Sequence, residues 1–244
     1  MKNKLNAFTL AEGATHVDML PTVVKFGFTL AEVLITLGII GVVAAMTIPT
    51  LFTIYRKNTT VNKLKKSYAE LAMAIKLSEY ENEDVSGWDM TLSSDKFINQ
   101  YLKPYIKHNE QKASQINNKL HYKFPNGKNF NLAILTNGET STFTMQNGAI
   151  LFVDNWFDKT TKRRGIAIDI NGIEKPNIRG IDVFEFFISN IDGLQPKGYD
   201  IPLADIQNPN KQYSCSDSGN SEAYSCTAWI VKNNWKIPPN YPWK

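Results

Sequence analysis

A long uncharged run dominates the pattern of hydrophobic and polar positions along the chain. Residues 33–55, 23 in all, carry no charge. As an α-helix this run spans about 34 Å, enough to cross a hydrocarbon core of about 30 Å. It is longer than the apolar core of a cleavable secretory signal, which has about 7–15 residues. The alternative, a buried helix of a soluble domain, rarely extends so far without a charge. The pattern therefore predicts a membrane-spanning helix.

The helical pattern continues beyond the uncharged run. Apolar residues recur mostly at intervals of three and four, with lysines and Glu70 between them, which is typical of an amphipathic helix. We expect this helix to reach about Glu81 and to be weakened at Pro49 and at residues 58–60. A coiled coil is the alternative, but the heptad pattern is not sustained. The recurring apolar positions are Leu51, Ile54, Tyr55, Val61, Leu64, Tyr68, Leu71, Ala72 and Ile75.

Beyond the helix the period changes to two, which indicates β-strands. A short helix is expected at residues 95–106, a polar loop at 107–119 and a loop-rich tail at 189–244 that wraps the sheet. Asn-Gly pairs at 137–138, 147–148 and 171–172 mark tight turns. The sequence therefore predicts an α+β fold in which an antiparallel sheet packs on the long helix. The candidate strands are residues 120–124, 130–135, 141–145, 149–153, 165–170 and 183–188.

One acid, Glu32, stands just before the uncharged run. A carboxylate within a bilayer is costly unless it finds a partner or keeps its proton. One interpretation is that Glu32 snorkels toward the headgroups, and the other is that it pairs with a positive group on another molecule. The run itself contains Pro49, which removes a helical hydrogen bond and predicts a kink. It also contains small residues at near-helical spacing, which let helices approach closely in lipid. These are Gly38, Gly41, Ala44 and Ala45.

The stretch GFTLAE at residues 27–32, followed by the apolar run, resembles the processing site of type IV prepilins and type II secretion pseudopilins. The resemblance implies that a membrane peptidase cuts after Gly27 and methylates the new amine of Phe28. It also implies that Glu32 pairs with the amine of a neighbouring subunit as a filament grows. This agrees with the expectation that a buried charge is tolerable only when it is paired. The helix positions that also match the family are Gly41, Ala44, Ala45 and Pro49.

The resemblance divides the chain into a prepilin leader at 1–27, a transmembrane and filament-core helix at 28–54, its amphipathic continuation at 55–82 and an α+β domain at 83–244. It implies a structural subunit of a type IV pilus or a type II secretion pseudopilus. The expected partners are like or related pilin subunits, the prepilin peptidase, membrane lipid and the assembly machinery. The expected location is the bacterial inner membrane, with the N-terminus cytoplasmic and the domain periplasmic or extracellular. The alternative is a single-pass, membrane-anchored extracytoplasmic binding protein that does not polymerise.

The phrase FTLAE occurs twice, at residues 8–12 and 28–32. Only the second copy leads into an apolar run, and a peptidase of the membrane needs its scissile bond beside a membrane helix. We therefore interpret the first copy as the remnant of a duplication within the leader. The alternative is a second cleavage site or a docking element for the peptidase.

The distribution of positive charge disagrees with the topology that the resemblance implies. Lys2, Lys4 and Lys25 precede the uncharged run, whereas more basic residues follow it closely. The positive-inside rule would place the side with more lysine and arginine in the cytoplasm. The basic residues after the run are Arg56, Lys57, Lys63, Lys65 and Lys66.

Composition adds the prediction of a folded domain and of a disulfide. The 244 residues are 43% hydrophobic and 20% charged, which excludes a disordered chain, and the net charge of +4 indicates solvated lysines rather than a nucleic-acid surface. Cys215 and Cys226 would form a disulfide outside the cytoplasm and would be free thiols within it. In the type IV pilins that the N-terminus resembles, a C-terminal disulfide often pins a loop, and these two cysteines suit that role.

Signals for catalysis are weak, and we expect the protein not to be an enzyme. The histidines, His16, His108 and His121, show no metal-binding spacing, and the common hydrolase and metalloprotease motifs are absent from the sequence. The cluster of Lys162, Arg163 and Arg164 beside Trp156 and Phe157 has the chemistry to contact phosphates. Charges on a loop are usually solvated, however, and nucleic acid is not an expected partner.

Asp169, Asn171 and Asp182 lie around glycine turns and carry the oxygen ligands that calcium prefers. The pseudopilins that the N-terminus resembles carry a calcium site in a comparable loop. The spacing does not match an EF-hand, and turns held by Asp and Asn side chains need no metal. Both interpretations, a calcium site and metal-free turns, stay open at this point.

Overall fold

The computed structural model of the protein describes residues 27–109, 121–130 and 140–243. The first FTLAE copy, most of the leader, the greater part of the predicted strand at 130–135 and the predicted turn at 137–138 lie outside the described residues. The chain forms two compact units, one ending at Pro49 and the other beginning at Thr50.

The first helix, α1, runs from Leu30 to Asn82 and confirms the predicted helix and its end. It is helical at Pro49 and at residues 58–60, the two places where a weaker helix was predicted. Glu83 follows with φ of 67°, the left-handed conformation that often terminates a helix. Within the unit that begins at Thr50, α1 buries one face, as its apolar period predicts. The buried residues are Val61, Leu64, Ser67, Leu71, Ala74, Ile75 and Ser78.

A short helical region follows α1. A single 3-10 turn at Val85–Gly87 precedes helix α2 at Ser94–Phe97. The chain continues through a π-helical turn at Ile98–Leu102 and a 3-10 turn at Lys103–Tyr105. The predicted helix at 95–106 is therefore confirmed in position, but its geometry changes from α to π to 3-10 along its length, and Pro104 lies in the last turn.

The strands form one six-stranded antiparallel sheet and one small hairpin. Strands β4 to β7 form the predicted meander, in order along the sheet. The hairpin pairs β2 with β3, and the predicted turn at 147–148 is confirmed, with Gly148 at φ of 88°. The strands are β1 His108–Asn109, β2 Tyr122–Lys123, β3 Asn129–Phe130, β4 Thr140–Met145, β5 Ile150–Asp158, β6 Arg163–Asp169, β7 Val183–Ser189 and β8 Gly193–Pro196.

The tail is more ordered than predicted. Strand β8 extends the sheet by pairing with the second half of β7. Two short helices follow, α3 at Leu203–Ile206 and α4 at Cys226–Lys232. The predicted loop-rich tail therefore also contains regular elements, which were not predicted because they are too short to show a period in the sequence.

The two faces of the sheet bury different clusters. Phe184, Phe186 and Ile188 of β7 join the main core with the buried face of α1, and the rings of Tyr68 and Phe186 lie 5.5 Å apart. Val183 faces the opposite side, because successive strand residues alternate. There a second cluster lies beside the β2–β3 hairpin, formed by Tyr122, Phe124, Ile150, Phe152, Ala167 and Val183.

Candidate functional site

The N-terminus of α1 is closed by a reciprocal pair of side-chain hydrogen bonds. The Thr29 amide and hydroxyl each donate to Glu32 Oε2 at 2.8 Å. In return the Glu32 amide donates to Thr29 Oγ1 at 3.2 Å. This is a capping box, in which two amides without helical partners are satisfied by side chains. Glu32 therefore has a partner within its own chain.

The predicted scissile bond lies immediately before this cap. Gly27 and Phe28 precede the first residue of α1. Phe28 is 86% exposed, and a Cβ placed on Gly27 would meet no atom within 4 Å. Within the described part of the chain both residues that flank this peptide bond are therefore exposed, as a substrate of a peptidase must be.

The apolar segment of α1 exposes its side chains in every direction. Its most apolar window has a mean hydropathy of 2.2 and is 0% buried, so the helix is long and apolar enough to cross a membrane. The hydroxyls of Thr36 and Thr47 donate to the carbonyls of Val33 and Val43, each at 2.9 Å. Polar groups satisfied in this way suit a hydrocarbon environment.

The small residues of the segment leave open surface. A Cβ on Gly38 or Gly41 would meet no atom within 4 Å, and Pro49 lies within the helix. A neighbouring helix could approach closely at both glycines, since no side chain stands between the backbones.

Cys215 and Cys226 form the predicted disulfide, with a sequence separation of 11. Both cysteines are buried in the main core. The bond joins the long tail loop to the first residue of α4. Gly180 packs against this bond, since a Cβ there would lie 2.6 Å from Cys226 Sγ.

Reducing the Cys215–Cys226 disulfide should lower the free energy of unfolding by about 3 kcal/mol, because the bond restricts the unfolded chain over a loop of this length. Urea unfolding of the full-length protein in detergent, with and without dithiothreitol, measures the difference. The double variant Cys215→Ser, Cys226→Ser should match the reduced protein. Equal midpoints for oxidised and reduced protein would contradict the expectation.

The structure brings Asp169, Asn171 and Asp182 together. Asp169 accepts from the Tyr122 hydroxyl at 2.8 Å and from the Asn171 amide at 3.2 Å. Asp182 accepts from the amides of Asn177 and Ile178, each at 2.6 Å. Every carboxylate oxygen thus faces an N–H or O–H donor, whose hydrogen repels a cation.

These contacts fit metal-free turns better than a calcium site. Among the described residues no group of three or more His, Cys, Asp or Glu side chains has an arrangement suited to a metal. The side chain of Asn171 donates to the carbonyls of Glu174 and Lys175 at 3.0 and 3.1 Å. We therefore assign Asp169 to the end of β6 and the other two residues to the long connection that follows it, and propose no calcium site for them.

Burial raises the pKa of the carboxyl groups of Asp169 and Asp182. It raises the pKa of Asp169 to about 8, with the charge of Asp182 as a further cause. It also raises the pKa of Asp182 to about 6, against the opposing effect of the hydrogen bonds from Ile178 and Asn177. The folded protein therefore holds protons that the unfolded chain releases above pH of about 4.

Stability should decline as the pH rises from about 4 to about 8. The contribution from the two carboxyls is fully present below their unfolded pKa values and is lost as the pH passes through the folded values, with a slope of about 1.4 kcal/mol per pH unit for each proton. Asp169→Asn should flatten this slope, because an amide does not titrate. Urea unfolding of both proteins at several pH values gives the two slopes, and the expectation fails if the slopes are equal.

A buried ion cluster on β7 was not predicted from the sequence. The Glu185 side chain is 3% exposed and forms ion pairs with Arg179 Nε and Lys197 Nζ, each at 2.5 Å. Burial opposes the charge of Glu185, but Arg179 and Lys197 keep its pKa below the usual value. The one signal in the sequence is an acid within the otherwise apolar run VFEFFIS.

The arginines of the predicted phosphate-binding cluster have other roles. Arg164 is fully buried and donates to the carbonyls of Asp154, Met90 and Leu92. Arg163 pairs with Asp200 at 2.9 Å and lies over the Tyr199 ring at 4.9 Å. Both guanidinium groups hold loops of the domain itself. The side chain of Trp156 lies outside the described residues.

The fold and these contacts define a disulfide-bonded α+β domain joined to an apolar helix that is long enough to cross a membrane. The chain belongs to a family of unknown function, DUF6613, which matches residues 50–244. No curated protein and no solved structure matches the chain. The family match begins where the second compact unit begins, at Thr50, so it covers the globular domain and leaves the function of residues 27–49 to be inferred from their chemistry.

Proposed function

We propose that the protein is a structural subunit of a type IV pilus or a type II secretion pseudopilus. One observation carries the proposal. An exposed Gly27–Phe28 bond lies directly before α1, and the Glu32 carboxylate lies in the first turn of the helix, just before an apolar segment whose side chains are exposed in every direction. A helix of this kind needs lipid or neighbouring helices to cover it, because so much apolar surface is unfavourable in water.

The proposed sequence of events begins with insertion of the apolar helix into the inner membrane, the N-terminus remaining cytoplasmic. A prepilin peptidase cuts after Gly27, and the new amine of Phe28 is methylated. The subunits then associate through residues 28–54, and the globular domain is exposed on the periplasmic or extracellular side. The disulfide supports this side, because such bonds persist in oxidising compartments.

Glu32 would have two alternative partners, Thr29 of its own chain and the amine of a neighbouring subunit. In the single subunit Glu32 accepts from Thr29. In the filament it would pair with the Phe28 amine of a neighbour, which replaces neutral donors by a donor of opposite charge. The Coulomb attraction between two opposite charges is larger where water is excluded. This exchange would favour the register of helices that brings the two charges together.

Processing is tested by intact mass and N-terminal sequencing of the protein from membranes of its native host. We expect a chain that begins at N-methylated Phe28. A chain beginning at Met1 would contradict the proposal and favour an anchored domain. A chain beginning at Phe8 would show that the peptidase uses the first FTLAE copy.

The capping box also favours a second candidate function, a single-pass anchored binding protein that does not polymerise. In such a protein Glu32 needs no neighbour, because Thr29 already satisfies it. Its processing could be identical, so the N-terminus alone does not separate the two candidates. Filament formation does separate them.

A further inference from the structure

Basic residues follow the apolar part of α1 without any acid among them. Between Glu32 and Glu70 the chain has no aspartate or glutamate. Five basic residues fall within residues 56–66 of this interval, which we call the basic collar. Its members are Arg56, Lys57, Lys63, Lys65 and Lys66.

The collar lies beside an apolar surface within the same compact unit. Leu51, Phe52, Ile54 and Tyr55 are 64%, 61%, 51% and 67% exposed. Tyrosine is typical of the boundary between hydrocarbon and water, which places the end of the hydrocarbon near Tyr55. The collar then extends about 16 Å beyond that level, at 1.5 Å per residue.

The direction of the side chains brings the collar closer to lipid. Side chains on an α-helix tilt toward its N-terminus, and here the N-terminal side is the apolar surface. Arg56 and Lys57 stand at the level of the headgroups, whose layer is about 5–8 Å thick. The ammonium groups of Lys63, Lys65 and Lys66 reach back toward this layer, within about one Debye length of it.

The collar is open to a ligand. Lys63 and Lys65 are exposed, and the side chain of Lys66 is 65% exposed. Among the residues that the structure describes, Lys66 is the one member with a carboxylate within 4.0 Å, Glu70 at 3.9 Å. Such an exposed pair between flexible side chains is readily exchanged for another anion.

We infer that the basic collar binds the headgroups of anionic lipids in the leaflet on the side of the globular domain. The inference rests on the membrane insertion included in the proposed function. Lipid is favoured over nucleic acid because the exposed apolar side chains of residues 51–55 directly adjoin the collar. The collar would hold the domain against the membrane until the subunit leaves it. In this role the lysines follow the membrane span because they bind lipid. This explains why the distribution of basic residues around the span disagrees with the positive-inside rule.

Spin-labelled lipids test the inference on the full-length protein. The chain is reconstituted in phosphatidylcholine vesicles with one fifth phosphatidylglycerol, and electron paramagnetic resonance measures how strongly labelled forms of each lipid associate with it. We expect the anionic label to associate about threefold more strongly at low salt, with the preference falling at high salt as screening increases.

Two matched variants assign the effect to the collar. Lys63→Gln, Lys65→Gln, Lys66→Gln should remove most of the preference for the anionic label. Lys96→Gln, Lys159→Gln, Lys236→Gln removes the same charge from exposed lysines elsewhere and should retain it. Thermal unfolding checks that both variants fold, and because all six side chains are at the surface we expect unchanged midpoints.

Three results would overturn the inference. Equal association of the two labels with the wild-type protein is one, and an equal loss in both triple variants is another. The third is a preference that disappears when duplex DNA is added at equal concentration, which would assign the collar to nucleic acid.

Resistance of the reconstituted protein to alkaline extraction is measured in parallel. A protein that is extracted would overturn the membrane insertion itself, and with it both proposals.

Discussion

Replacing Glu32 with alanine is expected to abolish filament formation and to leave cleavage after Gly27 intact. In an assembled filament the amine of Phe28 would lie in an environment without water, where an uncompensated charge is strongly unfavourable. The alanine variant offers that amine no carboxylate. Cleavage should persist, because the exposed Gly27–Phe28 bond does not depend on the Glu32 side chain.

Two further variants separate assembly from helix capping. Thr29→Ala removes the capping hydrogen bonds of the threonine hydroxyl but keeps the Glu32 charge, whereas Glu32→Gln keeps an acceptor for Thr29 and removes the charge. If Glu32 acts in assembly, Thr29→Ala forms filaments and Glu32→Gln does not. If Glu32 acts only as a helix cap, Glu32→Gln forms filaments and Thr29→Ala does not.

Filaments are scored by electron microscopy of sheared fractions, and processing by intact mass of the membrane fraction. Normal filaments from Glu32→Ala would refute the proposed role of this residue. Absence of filaments from the wild-type protein, when it is correctly processed and expressed with its native assembly machinery, would favour the anchored binding protein.

Glu185→Gln is expected to lower the free energy of unfolding by about 3–5 kcal/mol, the usual cost of removing one partner from a buried ion pair. The carboxylate lies between Arg179 and Lys197 and is nearly inaccessible to solvent. Glutamine has almost the same shape, but its amide nitrogen would face a cationic donor. Arg179 would keep the Glu222 carboxylate at 3.8 Å, but the Lys197 ammonium would lose its carboxylate partner at 2.5 Å.

Urea unfolding of the full-length protein in detergent measures this loss, and Glu79→Gln provides a matched control. Glu79 pairs with Lys76 at 2.7 Å, but the lysine side chain is 74% exposed. Water can replace the lost contact there, so we expect little change in the unfolding midpoint. A loss of less than about 1 kcal/mol for Glu185→Gln would mean that water or a rearranged side chain compensates the two cations.

The parts of the fold that depend on local patterns were predictable. Neighbouring residues in the sequence determine the apolar period of α1, the alternation of apolar residues in β4 to β7 and the turn at Asn147-Gly148. Strand β8 was missed because its four residues carry no strand pattern. It is extended because the free edge of β7 pairs with it, a non-local cause that reading along the chain does not reveal.

The candidate site likewise has parts that the sequence predicts and parts that it does not. The spacing of Thr29 and Glu32 is that of a capping box and was readable from the sequence, although only pairing and snorkelling were predicted for Glu32. The partners of Glu185 were not readable, because Arg179 comes from the connection before β7 and Lys197 follows β8. Asp169 and Asp182 were found together as expected, and their oxygens accept hydrogen bonds from N–H and O–H groups.

The burial of α1 in the globular domain has a mechanical consequence. Leu64 and Leu71 have no exposed surface, and Asn147 in the turn after β4 donates to Glu70 on the helix at 2.9 Å. A force applied to the helix at Thr50 therefore acts as a shear along the whole interface with the sheet, where many contacts must break at once. A subunit drawn out of a membrane by its helix would carry its domain along without unfolding it.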